Sequence, residues 1–321
     1  MTISIVWTRR IGRCEELVFA SDSRLSGDGA VMDYCPKIIT LPRSDCAICF
    51  AGYTGTAYPL MSQLALAIQA HAPMLRRSMD IKRVLHHALR IFDSMASSLK
   101  ASVLNPSEEL QKNLEDPAVT FILGGYSWID KEFDFWNVGF NFREKRFIAK
   151  HPACVLTHPK ARRVFLGNEH TATQNSNIFL GKIAFGGDQG QVAENRFVSL
   201  MSQRLNYDNV DVLQDARLNL EPFEVLRDML RDPDKSHTIG GAPQIVKVYQ
   251  HMNASPIAIY WPNKEAGQVS LLGRPVLGYE SIDFWILDPD RLRTSHPRYS
   301  REEEEEDRLI VMELDVRDDT E

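Results

Sequence analysis

With 321 residues, 44% apolar and 25% charged, the chain has the composition of an ordinary soluble protein able to bury a substantial core without metal or disulfide help. Its net charge of −6 is concentrated at one end: residues 298–321 hold 11 acidic and 4 basic side chains, leaving the rest near neutral and without the broad basic surface a nucleic-acid partner needs. No apolar run approaches the roughly 20 residues of a membrane span, and the first residues lack the apolar stretch of a secretory signal, so no membrane contact and a cytoplasmic location are expected.

Two strands open the pattern, Thr2 to Arg9 and Leu17 to Ser21, with a turn between them. "KIITL" and "CAICFAG" predict a second strand pair joined through Pro42-Arg43-Ser44-Asp45. Apolar residues then recur at helical spacing over Thr56 to His71 and Ile81 to Leu99. Strands resume at "AVTFILGGYS", "DFWNVGFN", "KRFIAK" and "RRVFLG". Helices are expected near Glu169 to Leu180, Asp188 to Leu205 and Pro222 to Leu230, before a last strand pair, "PQIVKVYQHM" and "PIAIYW". Strands that come in runs, not in alternation with helices, argue for an α+β fold of antiparallel sheets with helices outside. The expected divisions are a body over 1–261, an extension over 262–297 packed on or near it, and an acidic, flexible tail over 298–321.

Five cysteines give no disulfide framework and suit a reducing compartment. Cys46 and Cys49 lie in a predicted strand, where positions three apart face opposite ways and cannot chelate together. No metal or cofactor is expected. "FGGDQGQ" lacks the context of a phosphate loop and reads as a helix entry capped by Asp188.

The chemistry-bearing pattern starts at Thr2. Removing Met1 would give one residue both a hydroxyl nucleophile and a free α-amine, whose pKa near 7.7 to 8.0 suits a general base at cell pH. Downstream stand Asp22-Ser23-Arg24, then Lys37 fifteen positions after the aspartate, then Gly52 in a small-residue turn between strand and helix.

On these residues the chain resembles the proteasome β-subunit family and, more closely, its bacterial HslV-type peptidases. The resemblance spans about Thr2 to Trp261 and is strongest over the first 70 residues. It implies a four-layer α-β-β-α sandwich of the N-terminal-nucleophile hydrolases, acting on peptide or protein substrates, assembled as a homo-oligomer and in some relatives fed by a separate ATPase. It also implies roles: Thr2 as nucleophile with its own α-amine as base, Lys37 as a buried ammonium easing deprotonation, Asp22 as its carboxylate partner, and the Gly52 N–H as oxyanion donor.

Three positions depart from the family pattern. Asn168 stands where relatives carry a serine near the nucleophile, and Ser236 and Ile239 stand where an aspartate and a serine precede a late Gly-Gly pair, here Gly240-Gly241. Asn168 can hydrogen-bond but not relay a proton as a hydroxyl does. Ser236, Thr238 or Asp234 could supply the missing polar group from a shifted register. Two alternatives therefore stay open: a non-catalytic structural subunit, and a small-molecule amidase of the same superfamily.

Overall fold

The computed structural model describes residues 2–27, 30–101, 119–141, 143–157, 163–166, 178–204, 217–234 and 237–297. β1 (Ser4–Ile11) and β2 (Cys14–Ser21) form an antiparallel hairpin closed at Gly12, whose φ of 55° suits a residue without a Cβ. A small separate hairpin follows, β3 (Leu25–Gly27) with β4 (Ala30–Met32). β5 (Ile38–Thr40) and β6 (Cys46–Gly52) come next, then α1 (Thr54–Ala70), the short α2 (Ala72–Leu75) and α3 (Ile81–Ala101).

β7 (Val119–Ser127), β8 (Glu132–Asn141) and β9 (Arg146–Lys150) complete a five-stranded antiparallel sheet in the order β5-β6-β7-β8-β9. β10 (Ala153–Thr157), β11 (Arg163–Leu166) and β12 (Ile178–Gly186) belong to the larger, eleven-stranded sheet. After α4 (Gly190–Arg204) and α5 (Glu221–Arg231), the chain returns to that sheet as β13 (Gln244–Tyr249) and β14 (Asn253–Tyr260). α5 has Pro222 in its first turn, Glu221 and Glu224 at its N-terminal end and Arg231 at its C-terminal end, the arrangement that backbone orphans and the helix dipole favour.

The fold is thus mixed, with five helices and antiparallel sheets among the described residues, as the grouping of strands in runs predicts. Residues 262–297 extend the larger sheet through β15 (Val269–Leu271), β16 (Arg274–Pro275), β17 (Ile286–Asp288) and β18 (Arg293–Ser295), with β17 pairing in parallel to β14.

One expected helix is corrected. Phe179 and Leu180, placed by periodicity at the end of a helix, lie in β12. That strand pairs with β1 on one edge and β10 on the other, and two ladders outweigh a short stretch of helical spacing. β10 itself was not anticipated. Asn168, most of the Glu169 to Leu180 segment and the tail over 298–321 lie outside the described residues.

Strand periodicity divides the core. In β1, Ile5 and Trp7 pack with Phe197 of α4 and Phe223 and Leu226 of α5, whereas Val6 faces the smaller sheet. In β6, Ile48 and Phe50 pack with Leu60 and Leu64 of α1 and Phe92 of α3, whereas Ala47 and Cys49 face Val6 and Phe19 of the larger sheet. Cys46 joins the helix side, so it and Cys49 point apart. Burial pushes the Cys49 thiol up to about 12, leaving it inert. No described helix is long and apolar enough to cross a membrane.

Candidate functional site

The register of the first hairpin builds the site. Ser4 pairs with Ser21, so the residues entering β1 lie beside those leaving β2. The Ile3 N–H donates to Asp22 Oδ1 at 3.2 Å, and the Ser21 hydroxyl donates to the Ile3 carbonyl at 2.8 Å. The Ser4 hydroxyl donates to the Phe50 carbonyl at 3.0 Å, tying the same end of β1 to the end of β6. Lys37 precedes β5, and its carbonyl accepts from Phe50 N at 3.2 Å. Three chain segments far apart in sequence therefore converge at one end of the two sheets.

Their side chains meet. Lys37 Nζ donates to Asp22 Oδ1 at 2.8 Å and to Thr2 Oγ1 at 2.9 Å. The Lys37 and Asp22 side chains are wholly buried, and Thr2 is 1% exposed. Asp22 Oδ2 accepts from the N–H groups of Arg24 and Gly240, each at 3.2 Å. Burial pushes the Asp22 carboxyl up, opposed first by the Lys37 charge and hydrogen bond and then by the Ile3 and Gly240 amides. Burial likewise pulls Lys37 down, opposed mainly by Asp22 and also by Cys35 and Asp188. A lysine so placed releases a proton more readily than an exposed one.

Gln244, the first residue of β13, locks the backbone of this pair. Its Nε2 donates to the Asp22 carbonyl at 3.1 Å and the Cys35 carbonyl at 2.7 Å, and its Oε1 accepts from Lys37 N at 2.9 Å. Arg24 forks onto Asp33 at 2.6 and 2.9 Å and reaches the His237 carbonyl at 3.3 Å, so it is a brace between loops and not a solvated side chain.

"FGGDQGQ" is a helix entry as read, with α4 starting at Gly190, but Asp188 has another role there. Its Oδ1 accepts from Thr2 N at 2.7 Å, and its Oδ2 receives Thr238 Oγ1 at 3.5 Å. The carboxylate thus serves the start of the chain, 186 residues away, where a helix cap was expected. Gly187 makes this approach feasible: its φ is +93°, and a Cβ there would stand 1.9 Å from the Thr2 carbonyl oxygen.

Of the residues singled out from sequence, Thr2, Asp22 and Lys37 come into direct contact. Gly52 ends β6 with a φ of +117°, two residues beyond the carbonyl bonded by Ser4. Asn168 and Ser236 lie outside the described residues. Ile239 is buried in the helix-side core, Asp234 bonds Asp232 at the surface, and Thr238 is the one that reaches the site, through Asp188. Gln244 and Asp188 were missed as site residues. The first hides in an apolar strand, and the only local signal for the second is an acid after two glycines at a strand-to-helix junction.

Chemically, the site offers a hydroxyl oxygen held by an ammonium, an adjacent backbone nitrogen held by a carboxylate, and neighbouring backbone at a strand end. Among the described residues no group of three or more His, Cys, Asp or Glu side chains could hold a metal. No protein-family model matches the chain, and a search of curated proteins finds no match.

Proposed function

We propose that this protein is an N-terminal-threonine hydrolase of proteasome-like type that cleaves peptide amide bonds after removal of Met1. The observation that carries the reading is the buried contact of Lys37 Nζ with both Thr2 Oγ1 at 2.9 Å and Asp22 Oδ1 at 2.8 Å. A structural ion pair has no need of a hydroxyl, and a buried lysine on a chain-terminal threonine is the arrangement that eases its deprotonation.

The fold supports the same reading. The core clusters follow the sequence helices, sheet, sheet, helices, which fits the four-layer α-β-β-α sandwich that the resemblance implies. Assembly as a homo-oligomer and supply by a separate ATPase belong to the proposal on the resemblance alone, and a cytoplasmic location belongs to it on cysteine usage.

With Met1 gone, Thr2 N becomes an α-amine hydrogen-bonded to Asp188. Neutral, it takes the hydroxyl proton as Thr2 Oγ1 attacks the substrate carbonyl carbon. Lys37 stabilises the developing negative charge on Oγ1, and the Gly52 N–H stabilises the tetrahedral oxyanion. The amine passes the proton to the departing nitrogen, leaving an ester on Thr2, and water then hydrolyses that ester to restore the hydroxyl.

The alternative of a non-catalytic subunit is favoured by Ile239, which puts an apolar, 1% exposed side chain where relatives carry a polar one. Intact-mass analysis with a threonine-directed β-lactone separates the two. The expected result is a chain lacking Met1 with one adduct on Thr2, absent from Thr2→Ala. Retained Met1 with no adduct would establish the structural reading instead.

A further inference from the structure

A cleft of about 940 Å³ opens beside the candidate site. Gly186 and Gly187 form part of its wall, and Gly187 is the residue pressed against the Thr2 carbonyl. Thr120 forms another part; it pairs with Ala51, the neighbour of Gly52, and its hydroxyl lies 3.5 Å from the Ala51 carbonyl. The lining therefore touches the strand ends that carry both the nucleophile and the oxyanion donor. On the β8 and β9 side it is completed by residues that include Asn137, Arg143 and Lys150.

The charge of this lining is one-sided. Arg143 and Lys150 are its only ionisable residues among the described ones, and none of its members is acidic. Both cations are exposed, and neither is within ion-pair distance of a described carboxylate. The nearest acids in sequence are committed elsewhere: Glu144 to Arg146 at 2.5 Å, and Asp188 to Thr2 N. A cleft lined by cations, with walls of low dielectric, concentrates anions from solution.

We propose that the cleft binds carboxylate side chains of the substrate, so that acidic peptides are the preferred substrate class. The inference rests on the Thr2 reading for its catalytic part and on the cleft alone for its binding part. A peptide chain crossing from the strand ends toward β8 and β9 presents its aspartates and glutamates to Arg143 and Lys150. The aliphatic stems of these two residues and Phe140 line the path for its backbone.

The test uses matched peptides carrying Glu or Gln at the same positions. On the processed full-length protein, kcat/KM for the Glu peptide exceeds that for the Gln peptide by about tenfold at low ionic strength, and added salt erodes the difference. In Arg143→Gln/Lys150→Gln, which keeps the aliphatic stems and removes both charges, the Glu peptide loses its advantage over the Gln peptide. Equal cleavage of both peptides by the unaltered protein overturns the inference, as does an equal loss on both in the double variant. Fluorescence anisotropy of a labelled Glu peptide on Thr2→Ala separates binding from chemistry. If Thr2 takes no β-lactone yet this peptide binds and is lost in the cleft double variant, the hydrolase reading falls and the anion cleft stands. If Thr2 is labelled but the peptide does not bind, the reverse holds.

Discussion

Two of the described ion pairs are shut off from water almost completely, and they do different things. Lys37 and Asp22 are fifteen residues apart and meet across the ends of β1, β2 and β5, with Thr2 as a third party. Arg43 and Asp45 are neighbours in the β5–β6 turn, forked at 2.6 and 2.8 Å and fastened to the Met79 carbonyl at 2.7 Å. Both side-chain pairs are essentially inaccessible to water. Burial and pairing therefore do not mark a reactive site by themselves. What distinguishes the first pair is geometry: its ammonium reaches a side-chain hydroxyl, that of Thr2, whereas Arg43 bonds Asp45 and the Met79 carbonyl and its remaining Nη1 meets no hydrogen-bond partner among the described residues.

The comparison is sharpest when each cation is removed. Lys37→Ala leaves Asp22 buried without its counter-charge and is expected to lower stability by about 3–5 kcal/mol in denaturant unfolding. The rate of β-lactone labelling at Thr2 falls together with it, by about a hundred- to a thousand-fold. Arg43→Ala is expected to lower stability by about 3–5 kcal/mol as well, because Asp45 is equally stranded. Its folded fraction, however, labels Thr2 at the unaltered rate. Were Arg43→Ala as unreactive as Lys37→Ala, the loss in both would be a folding effect, and the distinction between the two pairs would disappear.

A gentler change probes the third charge in the cluster. Asp188→Asn keeps a hydrogen-bond acceptor beside Thr2 N and removes the negative charge. A carboxylate there favours the ammonium form of the freed amine and also raises Lys37, so losing it moves both titrations the same way. Both limbs of the pH profile of kcat/KM are expected to shift to lower pH, by about one unit on the acid side, with little change in stability. An unmoved acid limb would show that the amine does not sense Asp188.

Much of this was legible in the linear chain, and the reasons are specific. Thr2, Asp22 and Lys37 could be placed through the resemblance to proteasome-type subunits, which singles out residues beside strands, and strand ends are where a sheet presents side chains. Most helices and strands followed from the switch between periods of two and about 3.6. Asp188 was not legible as a site residue, because what matters about it is a contact with the opposite end of the chain, and local chemistry predicts only a helix entry. Gln244 was missed for a related reason: one polar residue at the head of "QIVKVY" looks like a strand boundary. β12 was misread because its identity depends on two partners, β1 and β10, neither adjacent in sequence. The joining of 262–297 to the larger sheet was hidden in strands of two or three residues, too short to carry a period.

The hydrogen bonds that hold Asp22 come partly from Gly240, and those that hold its backbone from Gln244, 218 and 222 residues further along. During translation at roughly 5–20 residues per second, the threonine emerges first and its surroundings last, a lag on the order of 10–40 seconds. A nascent or truncated polypeptide ending before Gly240 has Thr2 and Lys37 but lacks the Gly240 and Gln244 hydrogen bonds that hold Asp22. On the hydrolase proposal, synthesis order alone would keep such a chain inactive until the closing strand arrives.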